Sequence, residues 1–124
     1  MKVPLAVPVI ATVDVLETVR YFEEVIGFRQ QWTWGAPPVY AGLQSGEAWI
    51  YVNHDPDLAA AIGERGLAPE IFLWVEEIDA VYERHRSNGA EVIDELNERP
   101  WGVRQYVILE PNGYRLKIAE PVKE

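Results

Sequence analysis

Few side chains in this sequence are spaced for covalent or metal chemistry, and many are spaced for stacking. Cysteine is absent, so there is no thiolate nucleophile, disulfide framework or thiolate metal site. The two histidines, His54 and His85, have no second His or Cys at ligand spacing. His54 follows a strand-like run and opens an acidic loop, so it reads as a solvated turn residue. His85 falls on a helical segment at the spacing of Val81 and Tyr82 and reads as packing at a helix edge. No glycine-rich phosphate loop occurs, and Ser45 and Ser87 read as loop or helix-end residues rather than nucleophiles. Asp55, Asp57, Glu76, Glu77 and Asp79 read as solvated charge near helix N-termini. Aromatic surface is abundant instead: five Trp and six Tyr in 124 residues.

Period-2 alternation puts those aromatics on shared strand faces. In Ala48–Asn53 the set Trp49, Tyr51 and Asn53 opposes Ala48, Ile50 and Val52. In Phe28–Trp34 the residues Trp32 and Trp34 lie together, with Gln30. In Glu70–Val75 the set Glu70, Phe72 and Trp74 opposes Ile71, Leu73 and Val75. In Tyr114–Ala119 the set Arg115, Lys117 and Ala119 opposes Leu116 and Ile118. The aliphatic sets suit packing under helices, so the aromatic and charged sets face a concavity. Two bland readings stay open. Each Trp alone could be core or dimer interface, and Glu70 with Lys117 could be a buried ion pair of no further role.

The elements that must position these faces come in a repeated order. Leu5–Thr12 reads as a strand, with Pro4 and Pro8 marking an edge or a hinged arm. Asp14 then predicts a helix N-cap, with Glu17 as its capping-box partner. Val15, Val19, Phe22 and Ile26 form the apolar stripe, Leu16 and Val25 widen it, and Gly27 closes the helix. The strands Phe28–Trp34, Val39–Gln44 and Ala48–Asn53 follow. After a linker with a short helical piece around Leu58–Ile62, the order restarts at Glu70–Val75. A helix carrying Ile78, Val81 and Tyr82 ends at Gly89, and the strands Glu91–Asn97, Val103–Leu109 and Tyr114–Ala119 complete it. A shift of 62 residues lays Val19 on Val81 and Gly27 on Gly89. The predicted fold is therefore α+β, with two tandem βαβββ modules whose half-open sheets surround a cleft. One domain is expected over residues 1–124, with modules at 1–53 and 70–124 and a linker at 54–69.

Composition narrows the function. The net charge of −9 disfavours phosphate-backbone binding, so no nucleic-acid partner is expected, and it favours a cationic ligand. No apolar run is long enough to span a bilayer and no signal peptide opens the chain, so no membrane partner is expected. The expected compartment is a reducing cytoplasm.

The residues now in view resemble a family. The run Ala6-Val7-Pro8-Val9-Ile10-Ala11-Thr12-Val13-Asp14-Val15, then Tyr21-Phe22 and Ile26-Gly27-Phe28, is similar to the opening of bleomycin-resistance proteins. The run Glu98-Arg99-Pro100-Trp101-Gly102-Val103-Arg104, then Glu110-Pro111-Asn112-Gly113-Tyr114, is similar to their ending. These proteins belong to the vicinal oxygen chelate superfamily, with glyoxalase I and extradiol dioxygenases. The resemblance implies a homodimer, with the first strand exchanged between subunits about a hinge near Pro8. It implies interface clefts that sequester a cationic drug with its planar tail against aromatic side chains. Trp32, Trp49, Tyr51, Phe72, Trp74 and Trp101 match such cleft positions by register.

The superfamily's enzymes hold a divalent metal with His and Glu from the first, fourth, fifth and eighth strands. By register those positions here are Val7, Tyr51, Glu70 and Lys117, of which three are not ordinary ligands. No metal and no other cofactor is expected, and no catalytic residue is assigned. The first expectation is stoichiometric capture of a planar, cationic aromatic such as a bleomycin-type antibiotic. Trp32, Trp34 and Trp101 would stack on it, Trp49, Tyr51 and Phe72 would line the cleft, and Asn53 and Glu70 would give polar contacts; Trp74 and Lys117 belong to the same ligand-binding set, Lys117 suiting a cation only where Glu70 neutralises it. The alternative is a superfamily enzyme, a lyase or isomerase acting on a small metabolite. Glu70 would be its acid or base, and Lys117 or Arg115 would bind an anion.

Overall fold

The structure, a computed structural model, describes residues 1–66 and 69–123. Leu67 and Ala68 of the expected linker, and Glu124, lie outside the described residues. The chain divides into two compact units, Met1–Glu64 and Arg65–Glu124. Each is built on one four-stranded sheet.

In the first unit, β1 (Val9–Thr12) leads into α1 (Val15–Tyr21), whose last turn widens into a π-helical segment over Phe22–Ile26. Strands β2 (Arg29–Trp34), β3 (Tyr40–Ser45) and β4 (Ala48–His54) follow, and the sheet order is β1-β4-β3-β2. β1 runs parallel to β4, and the other neighbours are antiparallel. A second helix, α2 (Pro56–Arg65), starts where the Asp55 carboxylate accepts the Leu58 N–H at 3.2 Å.

The second unit repeats the plan. β5 (Glu70–Trp74) leads into α3 (Ile78–Ser87), then β6 (Glu91–Arg99), β7 (Val103–Leu109) and β8 (Arg115–Pro121). The order is β5-β8-β7-β6, again with one parallel pair, β5 with β8. The α+β class and the repeated order of strand and helix stand as the sequence implied.

One face of each sheet carries the core. Ile10, Leu43, Ile50 and Val52 are fully buried on the first, with Val15 and Val19 of α1 and Phe22 of the π-helical segment. Tyr106, Ile108, Leu116 and Ile118 are fully buried on the second, with Ile78 of α3. Completing each of these faces removes apolar area from water at roughly 25 cal/mol per Å². Gly27 ends the first helix at φ 111°, a left-handed conformation that costs glycine little.

Several local expectations are corrected. The first strand is Val9–Thr12, not Leu5–Thr12, because ladder pairing begins beyond the Pro8 ring, which has no N–H to give. Asp14 does cap α1, accepting the Glu17 N–H at 3.1 Å, but the reciprocal arm of a capping box is taken by another group. The Asp14 N–H donates to Thr12 Oγ1 at 3.1 Å, and Thr18 Oγ1 donates to the same oxygen at 2.9 Å. The buried stripe consequently includes Thr18, while Leu16 is exposed. α3 receives its cap from a distant strand: the Glu77 and Ile78 N–H groups donate to the Glu120 carboxylate at 2.8 and 3.4 Å. His85 is buried rather than at an edge, with Nδ1 2.7 Å from the Tyr106 hydroxyl. His54 is exposed at the end of β4, as read.

The β7–β8 turn is organised by one buried carboxylate. Glu110 accepts the Asn112 N–H at 2.6 Å, the Asn112 amide at 3.1 Å and the Tyr114 N–H at 3.3 Å. This turn sets the register that places Arg115 opposite Leu109 and Lys117 opposite Val107. Burial pushes the Glu110 carboxyl above its ordinary range, against the lowering effect of those three donors. A raised folded pKa means that folding favours the protonated form, so this contribution is complete below the unfolded pKa, near 4.3 for a glutamate. It declines as pH rises through the folded value. Urea unfolding over a pH series should therefore show a decline above about pH 4 that Glu110→Gln flattens. Glu110→Ala, which strands two backbone donors, should cost about 1–3 kcal/mol.

Candidate functional site

In the first unit the face of the sheet opposite α1 carries four joined rings. Trp32 and Tyr40 stack with centroids 5.8 Å apart and an interplanar angle of 14°. Tyr51 meets Trp32 edge-on at 5.2 Å, Tyr40 at 6.1 Å and Trp49 at 6.2 Å. All four rings are half-buried. The register explains the grouping: Trp32 pairs with Gly42, Gly42 with Tyr51, and Tyr40 with Asn53. Gly42 leaves the gap that the Trp32 indole crosses, since a methyl group there would sit 2.3 Å from Trp32 Cε2 and Nε1. Edge-to-face and offset contacts of this kind contribute about 0.5–1.5 kcal/mol each beyond burial. Tyr40 was not singled out from the sequence, although alternation along Tyr40, Gly42 and Gln44 could have found it.

A bulge decides which residues of β2 join them. The β2–β3 register shifts between Gln30 and Trp32, so Gln30 stands opposite Leu43 on the helix side. Gln30 therefore does not share the face of Trp32, contrary to strict alternation. Trp34 does share it, opposite Tyr40 at the strand end, and is largely exposed. Asn53 is half-buried beside Tyr40 and Ala11.

In the second unit the corresponding face is polar. A groove of about 480 Å³ is lined by Glu70, Asp94, Arg99, Trp101, Gln105 and Lys117, among others. Lys117 Nζ pairs with Glu70 Oε2, and Arg99 Nη2 with Asp94 Oδ2 at 2.5 Å. The Glu70–Lys117 pair is half-exposed rather than buried, because β5 is an edge strand. Trp101 stands exposed in the β6–β7 turn. Phe72 and Trp74 meet edge-on at 4.7 Å on β5, both exposed and outside the groove lining. The sequence-derived set is thus distributed between two faces. Trp32, Trp34, Trp49, Tyr51 and Asn53 belong to the first unit, and Glu70, Phe72, Trp74, Trp101 and Lys117 to the second.

These residues do not fit a divalent cation. Val7 precedes β1 and carries no donor, and the Tyr51 ring is committed to the cluster. Lys117 brings an ammonium onto Glu70, the single carboxylate of the expected set. Among the described residues no group of three or more His, Cys, Asp or Glu is placed to hold a metal ion.

Residues 5–118 match the model of the Glyoxalase/Bleomycin resistance protein/Dioxygenase superfamily. An uncharacterised protein of Mycobacterium bovis is 34% identical over 94 residues, which span 69% of this chain and 60% of that relative. Solved structures that share the fold include two examples. TioX from Micromonospora sp. ML1 has a TM-score of 0.79 at 24% identity, covering 94% of this chain and 97% of its own. A bleomycin resistance determinant encoded on transposon Tn5 has a TM-score of 0.77 at 18% identity, covering 96% and 98%.

The close approach at Gly42 is open to test. Gly42→Ala should displace the Trp32 indole from Tyr40, weaken the near-ultraviolet circular dichroism of the ring cluster, and destabilise the chain by about 1–3 kcal/mol. Unchanged spectra and stability would show that the indole does not lie across Gly42.

Proposed function

From the premise that this chain belongs to the glyoxalase/bleomycin resistance protein/dioxygenase superfamily, we propose that it captures a planar aromatic small molecule without transforming it. The observation that carries this reading is the joined cluster of Trp32, Tyr40, Tyr51 and Trp49 on a sheet face that α1 does not cover. Such rings offer a rigid stacking surface that a planar ligand extends, each contact contributing about 0.5–1.5 kcal/mol beyond burial. The misfit of the metal positions supports capture over metal-assisted chemistry. Glu70, the acid or base of the enzyme alternative, is half-exposed and held by Lys117, which suits it poorly to proton transfer.

A bleomycin-type glycopeptide is the leading ligand. It joins a planar tail to a cation, and the charge of −9 attracts cations at long range. The similarity to the Tn5 determinant points the same way. A homodimer is part of the proposal. The arm ahead of β1 exposes Val3 and Leu5, apolar residues that an exchanged first strand would cover.

The test is a tryptophan-fluorescence titration of chelator-treated protein with metal-free bleomycin. Saturable quenching near one ligand per subunit is expected, with the drug recovered unchanged. Trp32→Ala should weaken binding about tenfold. No quenching up to high micromolar drug would remove bleomycin as the ligand, and recovery of a transformed drug would overturn capture.

A further inference from the structure

The two leading helices are fastened to their sheets by different chemistry. Beneath α1 lie Val15, Thr18 and Val19, then Phe22, none of which changes charge. In the ten residues of α3 the buried side chains are Ile78 and His85. The other fastenings of α3 are polar or aromatic. Glu120 holds its first N–H groups, and both Nη groups of Arg104 donate to the Asp79 carboxylate at 2.7 and 2.9 Å. Tyr82 lies 4.6 Å from Tyr106, ring to ring, and His85 Nδ1 meets the Tyr106 hydroxyl at 2.7 Å. Asp79, Tyr82 and His85 recur every three residues, so one helix face meets Arg104 and Tyr106 of β7.

An imidazole ordinarily takes a proton near pH 6.5. A neutral ring and a hydroxyl satisfy each other in either tautomer, and burial keeps the Tyr106 hydroxyl protonated. An imidazolium has N–H on both nitrogens and a full charge, which burial penalises.

The register shows what could receive that charge. Tyr106 stands in a row with Ile118 and Leu73. The next row along β7 is Val92, Ile108, Leu116 and Ile71. Glu110, four residues beyond Tyr106, is occupied by the Asn112 and Tyr114 N–H groups. In the other direction Glu98 and Glu120 flank Arg104, the partner of Asp79. The neighbours of His85 along its own helix are Arg84 and Arg86. Arg86 lies 5.3 Å over the Tyr82 ring and takes up Glu83. The rows of Tyr106 and Ile108 thus bring no carboxylate to the imidazole among the described residues, and two arginines flank it.

We infer that His85 is an acid-sensitive latch: when its ring takes a proton, the contact with Tyr106 weakens and the C-terminal half of α3 loosens from the second sheet while α1 stays on the first. Burial and the two arginines oppose the proton, so the unfolded chain binds it better. The latch therefore holds above about pH 6.5 and weakens as pH falls. Asp79 does not act in that window, because the hydrogen bonds from Arg104 hold its carboxyl below the ordinary range. Glu110 acts with the opposite sign, its contribution growing as pH falls.

Amide hydrogen exchange of the full chain, followed by NMR from pH 7 to pH 5 and corrected for intrinsic rates, tests the latch. Protection in α3 should fall about tenfold for each pH unit by which folding opposes the proton, and protection in α1 should hold. The imidazole carbon shifts of His85 should change over the same range. His85→Gln keeps an amide donor and acceptor but takes no proton, so its α3 protection should stay level. Arg84→Gln removes a like charge at an exposed position, and should move the loss to higher pH without touching the core. Unchanged α3 protection down to pH 5, a loss that survives His85→Gln, an equal loss in α1, or a loss that Arg84→Gln leaves in place would each overturn the assignment.

Discussion

Each sheet in this chain has one leading helix, and a helix covers only one face of a sheet. That constraint sorts the side chains. Alternation sends Ile50 and Val52 to one side of β4, where they are fully buried, and Trp49 and Tyr51 to the other, where they stay half-buried. The same sorting on β8 sends Leu116 and Ile118 inward and leaves Arg115 and Lys117 outward. The covered faces stabilise the fold through apolar burial. The uncovered faces can carry recognition chemistry, because the apolar core lies on the other side and stability depends less on what stands there.

The two uncovered faces use that freedom differently. On the first, the absent side chain of Gly42 lets one indole lie across the strand, and the neighbouring rings lock its orientation. A glycine inside a strand ordinarily weakens it, so the close approach is the physical return for that loss. On the second, the turn built on Glu110 sets the register of β7 and β8, and the register assembles the groove. Its two ion pairs are partly exposed, where such pairs contribute about 0–1 kcal/mol, so they shape polarity more than stability.

Charge acts here on two length scales. The total of −9 acts at a distance and biases encounter toward cations. Inside the groove the nearest groups decide, where Lys117 is held by Glu70 and Arg99 by Asp94.

Much of this was legible in the sequence. Leu5–Thr12, Asp14 with Gly27, and the restart near Glu70 located the repeated βαβββ order, because turn chemistry and periodicity are local properties. The aromatic and charged faces of β4, β5 and β8 followed from alternation alone. Three features were not legible. The β2 bulge that turns Gln30 away from Trp32 is a pairing property, visible only against β3. The cap on α3 comes from Glu120, 43 residues beyond the Glu77 N–H it accepts. Which cations of the groove are spent on carboxylates depends on side-chain reach between β5 and β8 and along β6 from Arg99 back to Asp94. The sequence by itself determined the elements, their order and most of their faces, since these depend on residue type and near neighbours. Only the tertiary structure decided register, caps from afar and the pairing of charges, since these depend on contacts between segments distant along the chain.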